Sequence, residues 1–340
     1  MSRTRDLLLA QSQLLKGIHY VADWDAKGRS NDEGADVRNK WVDKVTGKVI
    51  NLYNFDYAGM SGWNGYLFDW SSGWKTDYAD LIVTKEYGKT KVRFSGLENL
   101  PRTSVTLLYQ PKANIPALSK IRLKISGLEE TEIFSLTDNT NPSVRVSRKG
   151  DGILEYTPEV IVIHPRLSVY LNSLVNREIT IEQLPLYPGA LVFDGVDDRM
   201  QAEEALGEVG TVLIHWKDIG LENGHYIYNT SFGGDPGRLF CYRLSNGANI
   251  VAGNPTMYMT GKPIMVYTRE PAISTVPLNN SAGGNNCPIF RLIFIKEKLN
   301  DIQIEFLKQK VEREYREWCE KNGYDYAINL LEDTRLKENK

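Results

Sequence analysis

The sequence predicts an all-β protein made of two β-sandwiches, with a short helix at each end of the chain. Three observations predict it. Runs rich in Val, Ile, Thr, Tyr and Phe recur along the chain, separated by Gly-, Pro-, Asn- and Asp-rich turns. Aromatic residues make up 10% of the chain, with 18 Tyr and 7 Trp, a supply suited to half-buried strands. A sustained helical period is clearest near the C-terminus. A length of 340 residues accommodates about two domains, each able to bury its own core.

In chain order, Leu7, Leu8, Leu14 and Leu15 fall at helical spacing, so 1–17 is expected to form an N-terminal helix or arm. Residues 23–40 are polar and rich in Gly and Asp, and are expected to form a loop. Residues 48–55 alternate around Val49, Leu52 and Tyr53 and read as a strand. Aromatic residues then crowd 60–74 in a Gly/Ser background. Strand-like runs follow at 80–85, 90–95, 104–109, 119–125, 143–147, 152–156, 159–164 and 178–183, the pattern of a self-contained antiparallel sandwich. Strands resume at 190–193, 210–216, 226–230, 239–243, 263–268 and 288–296. Asn300, with Gln303 three positions on, makes a capping-box pattern that opens the last helix. Its apolar stripe is Ile304, Leu307, Val311, Tyr315 and Trp318. Residues 323–340 are a tail whose charged end is expected to fray.

Composition excludes several function classes. The 41 basic and 43 acidic residues leave a net charge of −2, which offers nucleic acid no electrostatic footprint. Cys241, Cys287 and Cys319 are far apart and form no CxxC pair, so neither a zinc site nor a disulfide framework is expected. The apolar run 7–10 is too short for a signal-peptide core, and no segment approaches membrane length. The chain is therefore expected to stay in the cytoplasm where it is made, unless a larger particle carries it out.

Two segments carry a family resemblance. Ala190-Leu-Val-Phe-Asp-Gly-Val-Asp-Asp198 resembles a strand and turn of laminin-G/concanavalin-like jelly rolls, and 291–304 resembles their closing strand and helix. Trp24-Asp25-Ala-Lys-Gly28 and Thr46-Gly-Lys-Val-Ile-Asn-Leu52 resemble the opening strands. The resemblance implies a split jelly roll, 18–77 plus 188–322, with a second β-sandwich, 78–187, inserted. The combination of WDAKG, a strand ending in NF, Gly59-Met-Ser-Gly-Trp63 and 178–185 running into FDGVDD is similar to virion or tail-associated proteins of Bacteroidales phages and prophages, crAss-like phages included. It implies a phage structural protein, tail- or fibre-associated, assembled in a bacterial host's cytoplasm and resident in the virion. Other virion proteins, copies of the same chain and a host-surface glycan are the implied partners. The alternative is a glycan-binding module of a bacterial surface or secreted system.

Chemistry-bearing residues are sparse. Laminarinase-type relatives of the implied fold use an E-x-D-x-x-E strand, because retaining hydrolysis needs two closely spaced carboxyls. No such triplet occurs; Glu129, Glu130 and Glu132 come nearest, beside a turn at Gly127. No catalytic residue is expected. Asp23-Trp-Asp25-Ala-Lys27-Gly28 has the D-x-D start of a calcium loop, but Lys27 stands where an oxygen ligand belongs. A calcium site from Asp23, Asp25, Asn31, Asp32 or Asp36 competes with simple turn formation, as it does for Asp194, Asp197 and Asp198. His19, His164, His215 and His225 are scattered and read as structural. Sugar binding would use aromatic platforms, for which Trp63, Tyr66, Trp70, Trp74, Tyr226, Tyr228, Tyr242 and Tyr258 stand as candidates, against core packing for most of them.

Overall fold

A computed structural model describes residues 13–57, 61–65, 81–86, 88–94, 103–108, 120–138, 141, 145–159, 162, 165–172, 177–194, 197–217, 231–232, 237–238, 240–243, 249–252, 257–258, 264–274 and 286–326. The chain divides into two compact units, 1–65 with 187–340, and 66–186. The fold is all-β with antiparallel sheets.

The first unit opens with β1 (Tyr20–Asp25), α1 (Ala35–Arg38), β2 (Lys40–Val42), β3 (Val49–Tyr53) and β4 (Gly62–Trp63). The second unit contributes β5 (Leu81–Glu86), β6 (Lys89–Phe94), β7 (Thr103–Leu108), β8 (Ile121–Ser126), β9 (Ile133–Asp138), β10 (Arg145–Lys149), β11 (Gly152–Tyr156), β12 (Pro165–Leu171) and β13 (Arg177–Leu184). The chain returns to the first unit through β14 (Leu191–Asp194), β15 (Arg199–Ala202), β16 (Gly207–Trp216), β17 (Ser231–Phe232), β18 (Gly237–Arg238), β19 (Phe240–Arg243), β20 (Asn249–Ala252), β21 (Met257–Tyr258), β22 (Ile264–Ser274), β23 (Asn286–Ile295) and α2 (Asp301–Lys321).

The main sheet runs β18-β17-β22-β16-β23-β14-β4, with β1 also on β23. β23 is its hub. One edge pairs with β16; the other is shared, with Leu191–Asp194 against 286–289 and β1 against 291–295. Where one partner hands over to the other, the register slips: His215 faces Arg291 and Trp216 faces Ile289, leaving Phe290 as the extra residue of a bulge. Leu292 and Phe294 consequently enter the core with Trp24, Ile214, Trp41 and Leu52, while Ile293 and Ile295 face the other way with Leu213. Both faces are covered, which is why β16 is buried from Val209 to Trp216 without alternation.

The three-stranded sheet β15-β3-β2 supplies Met200, Ile50, Leu52 and Trp41 to the first core. Leu52 and Phe193, far apart in sequence, belong to that one core. α2 covers the opposite face with Leu307 and Val311, and Tyr315 and Cys319 continue the stripe. Its capping box at Asn300 and Gln303 forms as the sequence suggests. Cys319 is buried and Trp318 only half-buried, because the stripe follows strict four-residue steps along the last turns.

The second unit holds a four-stranded sheet, β10-β9-β12-β7, and a five-stranded sheet, β11-β8-β13-β6-β5. Phe134, Leu136, Leu167 and Val169 are buried from the first, and Leu123, Ile125, Ile179 and Ile181 from the second.

Two expectations need correction. Residues 23–25 lie in β1, not in a loop, because Ala22 and Trp24 alternate into the core and leave Asp23 and Asp25 on the other face. The runs 133–138 and 165–171, both unassigned from sequence, are the two inner strands β9 and β12 of one sheet, and 160, 161, 163 and 164 of the expected strand 159–164 lie outside the described residues. The expected N-terminal arm, 1–17, is described only from 13, where Leu15 packs beneath α2. No described helix is long and apolar enough to cross a membrane.

Leu307→Ala is expected to lower unfolding free energy by about 2–5 kcal/mol, because its side chain is fully buried between α2 and β23. Ile302→Ala, at a position 62% exposed on the same helix, is expected to stay within about 0.5 kcal/mol. Urea denaturation of both variants checks the pair.

Candidate functional site

The second unit leaves the first after Gly65 and returns at Tyr187, between strands that pair directly: Trp63 faces Leu191 and Gly62 faces Val192. Asn64 fastens this stem. Its backbone is left-handed, with φ 67°, a region Asn tolerates better than other side-chain-bearing residues. Its Nδ2 donates to Arg29 O at 2.8 Å, and its Oδ1 accepts from Gly189 N at 2.8 Å. Its backbone N donates to Ala190 O, and its carbonyl accepts from Tyr187 N. One residue therefore ties both crossings to the strand pair. Gly65 must be glycine here, since φ is +49° and a Cβ would overlap Val192.

A second layer braces the first. Asn31 Oδ1 accepts from Trp63 N at 2.6 Å, and its Nδ2 donates to Tyr57 O at 3.1 Å. Trp63 Nε1 and Tyr57 Oη both donate to Arg38 O, each at 3.0 Å. The Arg29 guanidinium lies 4.2 Å from the Trp63 ring centroid, and Arg38 lies 4.8 Å from that of Tyr57. Burial pushes the Tyr57 hydroxyl well above the ordinary tyrosine range, so it stays protonated and donating.

The other polar concentration lies under α2. Arg291 Nε and Nη2 donate to the two Asp23 oxygens at 2.7 and 2.6 Å, and Nη1 donates to Glu314 at 2.6 Å. Burial opposes the Arg291 charge, but the Asp23 and Glu314 carboxylates outweigh it and hold the guanidinium protonated. Beside it His215 is stacked on Phe290 at 4.8 Å and meets the Tyr315 ring edge-on at 5.1 Å. Tyr315 Oη donates to Pro188 O at 2.8 Å. Full burial, with the Arg291 and Lys27 charges nearby, pushes the His215 pKa down to about 3, so the ring is neutral at pH 7.

The residues singled out from sequence fare unevenly. Trp63 is fully buried in the core and edge-on to Trp41, so it is no surface platform. Tyr66, Trp70, Trp74, Tyr226 and Tyr228 lie outside the described residues. Tyr242 and Tyr258 lie in β19 and β21, with their side chains outside the description. Of the residues expected to bind calcium, Asp23 accepts from Arg291, and Asp25 pairs with Lys27 at 3.2 Å. Asp32 and Asp36 are exposed, and among the described residues no three His, Cys, Asp or Glu come together as a metal group. Asn31 and Asp198 serve the fold, the latter accepting from Ser61 at 2.9 Å. Glu132 is buried against Arg177. Sequence reasoning missed Asn64, Arg38 and Arg291. Only Asn64 left a signal, in the Trp-Asn-Gly turn at 63–65.

No protein-family model matches the chain, and no curated protein does. Among solved structures, a Trypanosoma rangeli sialidase in complex with sialic acid aligns at 11% identity, over 80% of this chain and 68% of that one, with a TM-score of 0.28. A Lactobacillus farciminis oxalate decarboxylase formate complex aligns at 8% identity, over 67% and 87%, with a TM-score of 0.14. At these values neither likeness carries an argument.

Asn64→Ala is expected to cost about 2–4 kcal/mol, from left-handed strain added to lost hydrogen bonds. Asn64→Gly, which removes only the bonds, is expected to cost less; thermal denaturation ranks the two. His215 sets a pH dependence whose sign is fixed by its low folded pKa. The unfolded ring protonates near its ordinary 6.5 and the folded ring does not, so stability falls as pH drops from 6.5 toward 3. The slope contributed is on the order of 1 kcal/mol per pH unit. Melting curves between pH 7 and 4.5 should show it, and His215→Phe should flatten it.

Proposed function

We propose that this protein is a virion structural component of tail or fibre type. In this reading the first unit serves assembly, and the inserted unit serves contact with a host surface. The observation that carries the reading is the stem. An entire second β-unit is inserted between two strands that hydrogen-bond to each other, and Asn64 holds both crossings. Such an insertion leaves the first sandwich complete, with β23 and β14 still paired, and adds a further surface.

The buried carboxylates support a structural role. Asp43 accepts from Asp23 N at 2.7 Å and caps the turn at Val45 and Thr46. Asp23, Glu132 and Asp198 likewise receive their hydrogen bonds from groups that hold strands and turns together. The resemblance of WDAKG, Gly59-Met-Ser-Gly-Trp63 and 178–185 running into FDGVDD to virion or tail-associated phage proteins supplies the setting.

The full chain, measured by size-exclusion chromatography with light scattering over increasing concentration, is expected to self-associate or to form a stable complex with a structural protein encoded beside it. A strict monomer that binds neither its own copies nor such neighbours would sink the reading.

A further inference from the structure

We propose that the outer face of the four-stranded sheet in the second unit binds an acidic polysaccharide. This deepens the surface-contact part of the proposed function, on which it rests, by naming a ligand class and a site.

The face follows from register. Phe134 and Leu136 on β9 and Leu167 and Val169 on β12 point into the core, so the alternate positions point out. Ser147 faces Ser135, and Ser135 faces Ser168, giving a row of hydroxyls across three adjacent strands. The row repeats at the interstrand spacing of about 4.8 Å. Arg145 and Arg166, both facing Thr137, flank it on one side; Lys149 and Tyr170, both facing Ile133, flank it on the other. No carboxylate stands at the described outward positions of β9, β10 and β12.

The other sheet of the same unit is built differently. On its outer face Glu178 faces Arg93, Glu182 faces both Lys89 and Lys124, and Glu155 faces Arg122. Acids there stand opposite bases across neighbouring strands. At the described outward positions of β9, β10 and β12 the charged residues are Arg145, Arg166 and Lys149, so this face complements an anion.

Ser135 adds an independent sign of a ligand. It is 1% exposed although its strand position points outward, and among the described residues its Oγ has no hydrogen-bond partner. Arg145, opposite Thr137 on one flanking strand, and Tyr170, opposite Ile133 on the other, stand diagonally about Ser135, and the Arg145 guanidinium sits 5.7 Å from the Tyr170 ring centroid. A carboxylate that draws Arg145 off Tyr170 opens the hydroxyl row beneath and leaves the ring for a sugar face. Repeating hydroxyls with a regular carboxylate suit this row better than a nucleic-acid strand, whose bases call for several stacking aromatics where this face offers Tyr170.

Isothermal titration of the full chain with polygalacturonate tests the site, with neutral dextran and a single-stranded oligonucleotide as comparisons. Polygalacturonate is expected to bind with an affinity that falls as salt rises, dextran not to bind, and the oligonucleotide to bind more weakly. The double variant Arg145→Gln/Arg166→Gln should weaken binding roughly tenfold or more. Ser135→Ala should also weaken it while leaving the melting temperature unchanged or higher, because the hydroxyl removed has no partner among the described residues. Lys124→Gln, on the five-stranded sheet, should leave affinity unchanged. No binding to polygalacturonate, binding indifferent to the Arg and Ser changes, or tighter binding to the oligonucleotide would each overturn the proposal. Light scattering on the same samples keeps the two readings apart: assembly without polyuronate binding removes this site and leaves the structural role standing.

Discussion

The first unit depends on one strand with three claimants. β23 gives one edge to β16 and divides the other between β14 and β1. The bulge at Phe290 makes that division work. It lets Ile289 and Leu292 both enter the core between the sheets, and turns Phe290 and Arg291 together toward α2. Ala26 N donates to Phe290 O, so the carbonyl of the bulged residue is still satisfied. Without the extra residue, the helix-facing positions on one side of Phe290 would turn into the core.

Turning Arg291 under a helix creates a charge problem that Asp23 and Glu314 solve from opposite layers. Asp23 comes from β1 and Glu314 from α2, so the guanidinium joins the N-terminal strand, the last strand and the helix in one contact. A buried pair of this kind adds little net stability over an apolar substitute, but losing one partner strands the other. Its effect is therefore to specify where β1 and α2 dock. His215 stands across the ladder from Arg291 and stays neutral because full burial, with the Arg291 charge nearby, disfavours a second positive charge.

The stem and the inserted unit separate two tasks. At the stem, side-chain amides of Asn31 and Asn64 satisfy backbone groups that the interrupted ladder leaves over. In the inserted unit, one sheet neutralises its own charges across strands while the other sets cations around a hydroxyl row. The difference between the faces comes from which residues stand opposite each other.

The all-β class, the capped C-terminal helix and most strand positions were legible in the sequence, because each rests on local periodicity and turn chemistry. β1 was missed at Asp23 and Asp25, where charged residues in a strand imitate a loop; β9 was missed because Ser135 and Thr137 sit between its apolar residues without long alternation. What only the tertiary structure decided is pairing. That Arg291 meets Asp23, that Asn64 meets Gly189, and that Ser147, Ser135 and Ser168 fall into line depends on register between strands distant in sequence. A chain of residues specifies which side of its own strand each side chain takes, but the neighbour across the ladder comes from another part of the polypeptide, and only folding brings the two together.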